Sequence, residues 1–395
     1  MGKLISQHVT WVGKTDWQLT KFHGDELSTH RGSSYNSYLV RDKKVALIDT
    51  VWQPFDKEFV ERLKDEIDLS KIDYIIMNHN EIDHSGALPE LMRYIPDTPI
   101  YCTKNGENIM RGHYHQDWNF VNVHTGDTLS LGDTTLMFIE APMLHWPDTM
   151  FTYLKGDNIL FSNDGFGQHL ASESLFNDTV DEGIIMAEAE KYYANILAPF
   201  NPMVKKKIAE LLGLGLEIDM IAPSHGVIWK DNPEKIIEMY TKWCENYNLN
   251  QITIVYDTMW SSTRRMAECI AEGIGEADPA VTVKLFNAAH HDKNDILTEV
   301  FHSKAVLVGC PTINTGVSYA IAGLLEMIHG LKLKGKKSAA FGSYGWAPTG
   351  TKVIQAHLED AGIPAVLPPL NMNWVPDNNS LESCRQYGRD FVKAL

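Results

Sequence analysis

The feature that most constrains this chain is the run His79-Asn80-Glu81-Ile82-Asp83-His84, which places two imidazoles and two carboxylates within six positions. It follows an apolar run, residues 72–77, that is typical of a buried β-strand, so we expect it in a loop at a strand's carboxyl end. Each of these side chains is costly to bury alone, and several that converge imply a shared metal ion. The alternative interpretation is a polar loop whose histidines and acids face solvent.

Three further side chains that can bind metal also follow apolar strands. They are His145 after residues 136–139, Asp164 after residues 158–161 and His225 after residues 218–221. Taken alone, each is more typical of a surface or satisfied core residue than of a ligand. Because the arrangement recurs three times beside the first cluster, the sequence predicts that all of them meet at one metal site.

The composition restricts the class of protein. At 395 residues the chain exceeds one ordinary core, so we expect two domains. A net charge of −16 argues against nucleic acid and anionic lipid as partners, and no run approaches the roughly 20 apolar residues of a membrane span. The five cysteines never occur as Cys-x-x-Cys, which favours a cytoplasmic protein without an attached rubredoxin-type centre.

Strands and helices alternate over the first part of the chain. The pattern predicts a strand at residues 45–49, a helix over 55–67 and a hairpin over 127–140. Such alternation indicates an α/β domain in which helices cover sheet. A helix over 231–246 and a polar connector at 247–251 are expected to close this domain.

The pattern then restarts with a strand at 252–256, a hydroxyl-rich turn at 257–263 and a helix that begins near Arg264. This arrangement favours an anion site, because free N–H groups and the helix dipole both point at the turn. The turn has neither the Gly-x-Gly-x-x-Gly of dinucleotide folds nor the Gly-Lys-Ser/Thr of a P-loop. The sequence predicts a five-stranded doubly wound parallel sheet with strands near residues 252, 281, 305, 338 and 365, and the ligand loops follow the strands at 252–256, 305–310 and 338–342.

The order of the candidate metal ligands resembles that of flavodiiron proteins, a family with a metallo-β-lactamase-like domain. Hydrolytic members of that superfamily carry His-x-His-x-Asp-His and usually bind zinc, whereas Glu81 replaces the second histidine here. An added carboxylate suits iron better than a nitrogen-rich zinc site does. In some members of the family the equivalent of His84 is turned away and solvent takes its place. The resemblance implies one iron held by His79, Glu81 and His145, a second held by Asp83, His84 and His225, and a bridging Asp164.

The second half of the chain resembles a flavodoxin domain that binds FMN. The resemblance implies that the 258–263 turn cradles the phosphate and that Tyr344 and Trp346 cover the flavin ring. It implies an N-terminal metallo-β-lactamase-like αββα domain over residues 1–249, followed by a flavodoxin-like doubly wound parallel sheet over residues 250–395. The implied FMN-binding residues are Thr258, Met259, Trp260, Ser261, Ser262, Thr263, Pro311, Thr312, Asn314, Thr315, Gly316, Ser343, Tyr344, Gly345 and Trp346.

The resemblance also implies residues that surround the diiron cavity. They are His23, Trp146, His169 and Tyr193. Among them, His23 and Tyr193 are the candidates for a catalytic role. The alternative interpretation is that Trp146 and Tyr193 are ordinary packing aromatics.

The function that the resemblance implies is a reductase in which FMN passes electrons to a non-haem diiron site that reduces O2 to water, NO to N2O, or both. The implied partners are a rubredoxin or rubredoxin reductase-type electron donor and a second copy of the chain, in a head-to-tail homodimer or a dimer of dimers. One alternative is a metal-dependent hydrolase with a flavodoxin-like appendage, which would be colourless and contain zinc. Another is an electron carrier, which would leave the ligand set unexplained.

Overall fold

The computed structural model describes residues 2–395, which form two compact units. The first unit comprises the residues up to Tyr192 together with Phe200–Thr241, and the second comprises Tyr193–Pro199 together with Lys242–Leu395. The predicted domain boundary after residue 249 stays a prediction. Within residues 2–395, no helix is both long and apolar enough to cross a membrane.

The first unit is built on strands in two main sheets. Its strands are β1 (Lys3–Leu4), β2 (Val9–Trp11), β3 (Lys14–Asp16), β4 (Lys21–Phe22), β5 (Leu27–Ser28), β6 (Ser33–Tyr35), β7 (Tyr38–Arg41), β8 (Val45–Ile48), β9 (Tyr74–Ile76), β10 (Ile100–Cys102), β11 (Phe120–Asn122), β12 (Thr128–Ser130), β13 (Thr135–Glu140), β14 (Met150–Lys155), β15 (Ile159–Asn163) and β16 (Met220–Pro223). The larger sheet has the order β1-β2-β7-β8-β9-β10-β11, and the smaller has the order β12-β13-β14-β15-β16.

Helices connect these strands. They are α1 (Asp56–Glu66), α2 (Ile82–Ser85), α3 (Leu88–Leu91), α4 (Lys104–Tyr114), α5 (Glu182–Tyr192), α6 (Asn201–Gly213) and α7 (Glu234–Trp243). A π-helix, Tyr193–Leu197, follows α5 directly. In α1 the spacing of apolar residues buries Phe59 and Leu63 on one face, and acidic residues in the first turn complement the helix dipole.

The two main sheets share one apolar core. Val40 and Ile48 of the larger sheet belong to the same cluster of buried side chains as Phe138, Leu154 and Phe161 of the smaller one. Successive side chains of a strand point to opposite faces, so alternate residues of each sheet can enter this core. The core fixes the strand ends from which the candidate ligand loops depart.

The second unit contains a single parallel sheet. Its strands are β17 (Leu249–Tyr256), β18 (Thr282–Asn287), β19 (Ser303–Gly309), β20 (Lys337–Tyr344) and β21 (Leu370–Asn373), and its helices are α8 (Ser262–Ala277), α9 (Lys293–His302), α10 (Tyr319–Leu331), α11 (Gly350–Asp360) and α12 (Asn378–Ala394). The strand order is β18-β17-β19-β20-β21, and every pairing is parallel. The order reverses at β17, where a doubly wound sheet opens a crevice at the strands' carboxyl ends.

Two differences from the sequence predictions affect the second unit. Residues 249–251, predicted as part of a polar connector, begin β17, because Gln251 pairs with Thr282 of β18. The fifth strand is Leu370–Asn373, whereas Ala365 makes only an isolated bridge. The loop after the fifth strand is therefore absent from the predicted ligand loops.

The helices α8 and α12 approach each other closely at two glycines. A Cβ atom at Gly273 would overlap the carbonyl oxygen of Arg385, and one at Gly388 would overlap the carbonyl oxygen of Ile270. A Cβ atom at Gly275, two residues further along α8, would meet open space. The contact between the two helices thus depends on glycine at specific positions.

We expect Gly273→Ala to destabilise the second unit by about 1–3 kcal/mol, because overpacking forces the two helices apart. The matched control Gly275→Ala should be neutral or stabilise by up to about 1 kcal/mol, because alanine favours a helix over glycine. Differential scanning calorimetry of both variants and the wild type checks this. Equal unfolding midpoints for the two variants would contradict the close helix contact.

Candidate metal centre and cofactor cavity

The candidate metal ligands lie at the carboxyl ends of strands, as predicted. In the smaller sheet β13 and β15 are both antiparallel to β14, and β16 is parallel to β15. The carboxyl ends of β13, β15 and β16 therefore lie along one edge, and the loops that leave this edge carry His145, Asp164 and His225. In the larger sheet, β9 ends just before the run His79–His84, and the single turn of α2 carries the last two ligands of that run.

These side chains converge into two groups whose ligand atoms lie within 4.8 Å of one another. In the first group, His145 Nε2 lies 3.3 Å from Glu81 Oε2. In the second, His225 Nε2 lies 3.1 Å from Asp83 Oδ2. The structure thus brings all the predicted ligands together, in the groups His79, Glu81, His145 and Asp164, and Asp83, His84 and His225.

Asp164 faces both groups. Its Oδ2 lies 3.3 Å from His145 Nε2 and 3.5 Å from His79 Nε2. Its Oδ1 lies 3.1 Å from His84 Nε2 and 3.6 Å from His225 Nε2. One oxygen is thus directed at each group, which is the arrangement of a bridging carboxylate.

The acids and histidines of the cluster shift one another's pKa. Burial lowers the pKa of His79, but the surrounding carboxylates, Asp148 first among them, outweigh burial and raise this pKa to about 10. Burial raises the pKa of Asp83 and of Asp164, but the neighbouring histidines, His84 above all, outweigh burial and hold both pKa values well below the ordinary value. Metal ions must displace protons from such histidines, so metal affinity falls as the pH falls.

Several buried ligand atoms have no hydrogen-bond partner among residues 2–395. They include His79 Nε2, Asp83 Oδ1 and Asp164 Oδ2, all of which belong to the cluster. A buried polar atom left without a partner is costly, and a metal ion removes that cost. The mixture of imidazole nitrogens and carboxylate oxygens fits two iron ions, which these residues would hold.

A buried carboxylate outside the ligand set, Asp49, ties two ligand loops together. It accepts hydrogen bonds from the backbone N–H of Asn78 at 2.7 Å and from the side chains of Asn78 and Asn163 at 3.1 Å. Asn78 directly precedes His79, and Asn163 directly precedes Asp164. Asp49 was not predicted from the sequence, although it directly follows β8 in the way that the predicted ligands follow other strands.

A second such carboxylate is Asp148, which is fully buried. Its Oδ1 and Oδ2 lie 3.1 and 3.2 Å from His79 Nδ1. Burial raises its pKa, but the charge of His79 and hydrogen bonds outweigh burial, so the pKa is lowered. Asp148 was not predicted from the sequence, because no strand or motif precedes it in the loop after His145.

Three of the residues predicted to surround the cluster do contact it. His23 Nε2 lies 2.8 Å from Glu81 Oε1. Trp146 packs edge-on against His79, with ring centroids 5.2 Å apart. The ring centroid of His169 lies 5.0 Å from that of a ligand histidine, His225.

A tyrosine beside the cluster is Tyr192, one residue before the predicted Tyr193, and its ring centroid lies 6.1 Å from that of His225. The ring centroid of Tyr192 lies 5.0 Å from that of His169. Tyr193 instead packs against Trp243 at 5.3 Å and Phe301 at 5.8 Å. The helix α5 ends at Tyr192 and the π-helix begins at Tyr193, and neighbouring residues of a helix point about 100° apart, so the two rings contact different neighbours. Tyr192 therefore joins the residues around the site, and the role predicted for Tyr193 stays a prediction.

A cavity of about 490 Å³ opens at the carboxyl ends of the second unit's strands. The predicted FMN-binding residues that line it are Thr258, Met259, Trp260, Ser262, Pro311, Thr312, Asn314, Thr315, Ser343, Tyr344, Gly345 and Trp346. Ser261, Thr263 and Gly316 were predicted but are not among the lining residues. The structure adds Ile313, Ala347, Thr349, Trp374 and Val375 to the lining.

The chemistry of this cavity fits FMN. None of its lining residues is charged, and Thr258 Oγ1 is buried without a hydrogen-bond partner among residues 2–395. The N-terminus of α8 follows the turn, so backbone N–H groups and hydroxyls would hold a phosphate. Thr263 supports the turn from behind, with its Oγ1 3.0 Å from Ser343 Oγ. Large exposed aromatic side chains flank the cavity and would contact a flavin ring, namely Trp260, Trp346 and Trp374.

The fold and both sites define a metallo-β-lactamase-like domain joined to a flavodoxin domain. The ODP family beta lactamase matches residues 34–226, and the flavodoxin family matches residues 254–388. Curated relatives from Salmonella typhi and Escherichia coli O1:K1 / APEC, both named anaerobic nitric oxide reductase flavorubredoxin, are 54% and 53% identical over 395 residues. These matches cover 100% of this chain and 82% of each relative.

Solved structures of other proteins match the fold of this chain. The rubredoxin oxygen:oxidoreductase of Desulfovibrio gigas has a TM-score of 0.96 at 35% identity, covering 100% of this chain and 98% of that chain. The flavodiiron protein of Giardia intestinalis has a TM-score of 0.95 at 33% identity, covering 100% and 96%. This chain belongs to the flavodiiron protein family, and the fold class predicted from its sequence is confirmed.

We expect Asp164→Ala to lower the metal content from about two ions per chain to below about one, because both positions lose a shared anion. The comparison variant Glu81→Ala removes a ligand from one position only and should retain about one ion. Metal analysis of both purified variants, with circular dichroism as the test of folding, checks this. Equal metal loss in the two variants would contradict the bridging role of Asp164.

We expect Thr258→Val to weaken FMN binding at least about tenfold, because a hydrogen bond to a charged group is worth roughly 1.5–3 kcal/mol. The volume of the side chain is nearly preserved, so packing should change little. Quenching of FMN fluorescence on titration with the flavin-free protein measures the affinity. The control Thr282→Val, at an exposed position in β18, should bind FMN as the wild type does.

Proposed function

We propose that this chain is a flavodiiron reductase with FMN and a non-haem diiron centre as cofactors, and that it reduces O2 to water, NO to N2O, or both. When bound, FMN and the two irons supply the electron transfer for these reactions. The observation that carries the proposal is the cluster of His79, Glu81, Asp83, His84, His145, Asp164 and His225 in one chain with an uncharged aromatic cavity.

The cluster's own residues favour redox metals over a hydrolytic zinc pair. Glu81 adds a carboxylate where the hydrolase pattern has a histidine, and its Oε2 lies 3.4 Å from His79 Nε2. Two non-bridging carboxylates and the bridging Asp164 give the centre three negative charges. Hard anionic oxygens compensate the charge of an oxidised iron better than neutral imidazoles do.

Both reactions consume protons, and His23 is placed to supply them. Its Nε2 donates to Glu81 Oε1 at 2.8 Å, and its side chain is 33% exposed. One end of this imidazole therefore contacts a ligand of the cluster while the ring remains accessible to water. We assign His23 as the residue that carries protons between solvent and the site.

We further propose a rubredoxin or rubredoxin reductase-type protein as the electron donor and a head-to-tail homodimer as the assembly. The description of the Desulfovibrio gigas relative as a rubredoxin oxygen:oxidoreductase supports this class of donor. Met259, Trp260, Trp346 and Val375 are exposed apolar residues that line the cavity, and an apolar rim suits docking of a protein partner.

The proposal is tested with protein that contains FMN and iron, using chemically reduced rubredoxin as the only electron source. Under anaerobic conditions NO should be consumed and N2O formed, or under air O2 should be consumed without accumulation of peroxide. The variant Glu81→His, which restores the hydrolase pattern, should bind zinc in preference to iron and lose turnover. The proposal fails if the wild type is a colourless zinc protein that cleaves thioesters or phosphoesters.

A further inference from the structure

The two metal positions have matched ligands. Each offers two imidazoles and one carboxylate, and Asp164 directs one oxygen to each of them. A difference between the positions therefore has to come from groups that contact the ligands from outside.

The second ring nitrogens of three ligand histidines, His79, His225 and His84, show such a difference. His79 Nδ1 lies 3.1 and 3.2 Å from the two carboxylate oxygens of Asp148. His225 Nδ1 lies 2.7 Å from the neutral backbone carbonyl oxygen of Ser34. His84 Nδ1 is buried and has no hydrogen-bond partner among residues 2–395.

Asp148 is itself held in place. Its Oδ2 accepts hydrogen bonds from the backbone N–H of Asn80 at 2.8 Å and from the Asn80 side chain at 2.9 Å. Its backbone carbonyl accepts a hydrogen bond from Thr103 Oγ1 at 2.9 Å, and Thr103 caps the N-terminus of α4. These contacts fix the carboxylate in a fully buried position behind the ring of His79.

The chemical consequence follows from the carboxylate's charge. An ionised carboxylate only accepts hydrogen bonds, so His79 carries its proton on Nδ1 and presents an unprotonated Nε2 to a metal ion. The negative charge behind the ring raises the basicity of Nε2 and fixes the ring's orientation. The neutral carbonyl oxygen of Ser34 raises the basicity of His225 Nε2 less than a carboxylate would. Among residues 2–395, no hydrogen-bond acceptor contacts His84 Nδ1.

We propose that Asp148 is a positioning residue that makes the His79 position the tighter of the two, so that this position takes up the first divalent cation and releases it last. The inference rests on the two-metal site of the proposed function but not on its reaction. Loss of a hydrogen-bond partner behind a metal ligand weakens metal affinity by about 10–100-fold, which is the size of the asymmetry expected.

The test is an anaerobic titration of the metal-free protein with Co(II), in competition with a chromophoric chelator. The wild type should bind Co(II) in two steps whose dissociation constants differ by about tenfold or more. Asp83→Ala should retain the tighter step, and Glu81→Ala should retain the weaker one. These two variants assign each step to its position.

Asp148→Asn should weaken the tighter step by about 10–100-fold and leave the weaker step unchanged. Asp148→Glu, which keeps the charge, should preserve two separate steps. The matched control is Asp49→Asn, because Asp49 is also buried and bonded to the ligand loops, but through Asn78 and Asn163. Asp49→Asn should change the dissociation constants of both Co(II)-binding steps by the same factor.

Equal affinities at the two positions of the wild type would overturn the inference. So would a first step that Asp83→Ala abolishes, or an Asp148→Asn variant that shifts both steps alike. If Asp148→Asn does not fold, the loading order given by Asp83→Ala and Glu81→Ala decides the question. The titration uses no O2, NO or electron donor, so a protein that loads in this order but reduces neither substrate overturns the proposed function alone.

Discussion

The burial of opposite charges at one point is the constraint on which the rest of the first unit depends. Asp83, His84 and Asp164 are almost completely removed from water, and each of them would be strongly destabilising if it were buried alone. They are tolerated only as a set, and the set forms only where strand ends of two sheets converge. The apolar core between the sheets provides that convergence, and Asp49 locks the loops after β9 and β15 to each other.

The sequence predicts those site residues that directly follow an apolar strand and carry a side chain able to bind metal or phosphate. Parallel strands bring their carboxyl ends to one edge, so His145, Asp164 and His225 could be placed together once each was seen to follow an apolar strand. The same rule located the turn after β17 and the loops after β19 and β20 around the cavity. These inferences need only the direction of each strand, not side-chain detail.

The site residues that were not predicted depend on contacts and strand positions that a local sequence pattern does not show. The resemblance implied Tyr193, whereas the ring that contacts His169 and His225 belongs to its neighbour Tyr192, and a local pattern does not show which of two adjacent tyrosines has these contacts. Asp148 is recognisable only from its contact with His79, which lies 69 residues away. Trp374 lines the cavity because it directly follows β21, which spans Leu370–Asn373, whereas the predicted fifth strand lay near residue 365.

The placement of sulfur has a consequence for a protein that handles O2 or NO. All five cysteine side chains are buried. Burial raises the pKa of Cys102 and Cys384 to about 12, so almost none of either thiol is ionised at neutral pH. The thiolate is the form that oxidants and nitrosating species attack. These two thiols are therefore poor targets, and burial shields all five cysteines from reactive species that escape the metal centre.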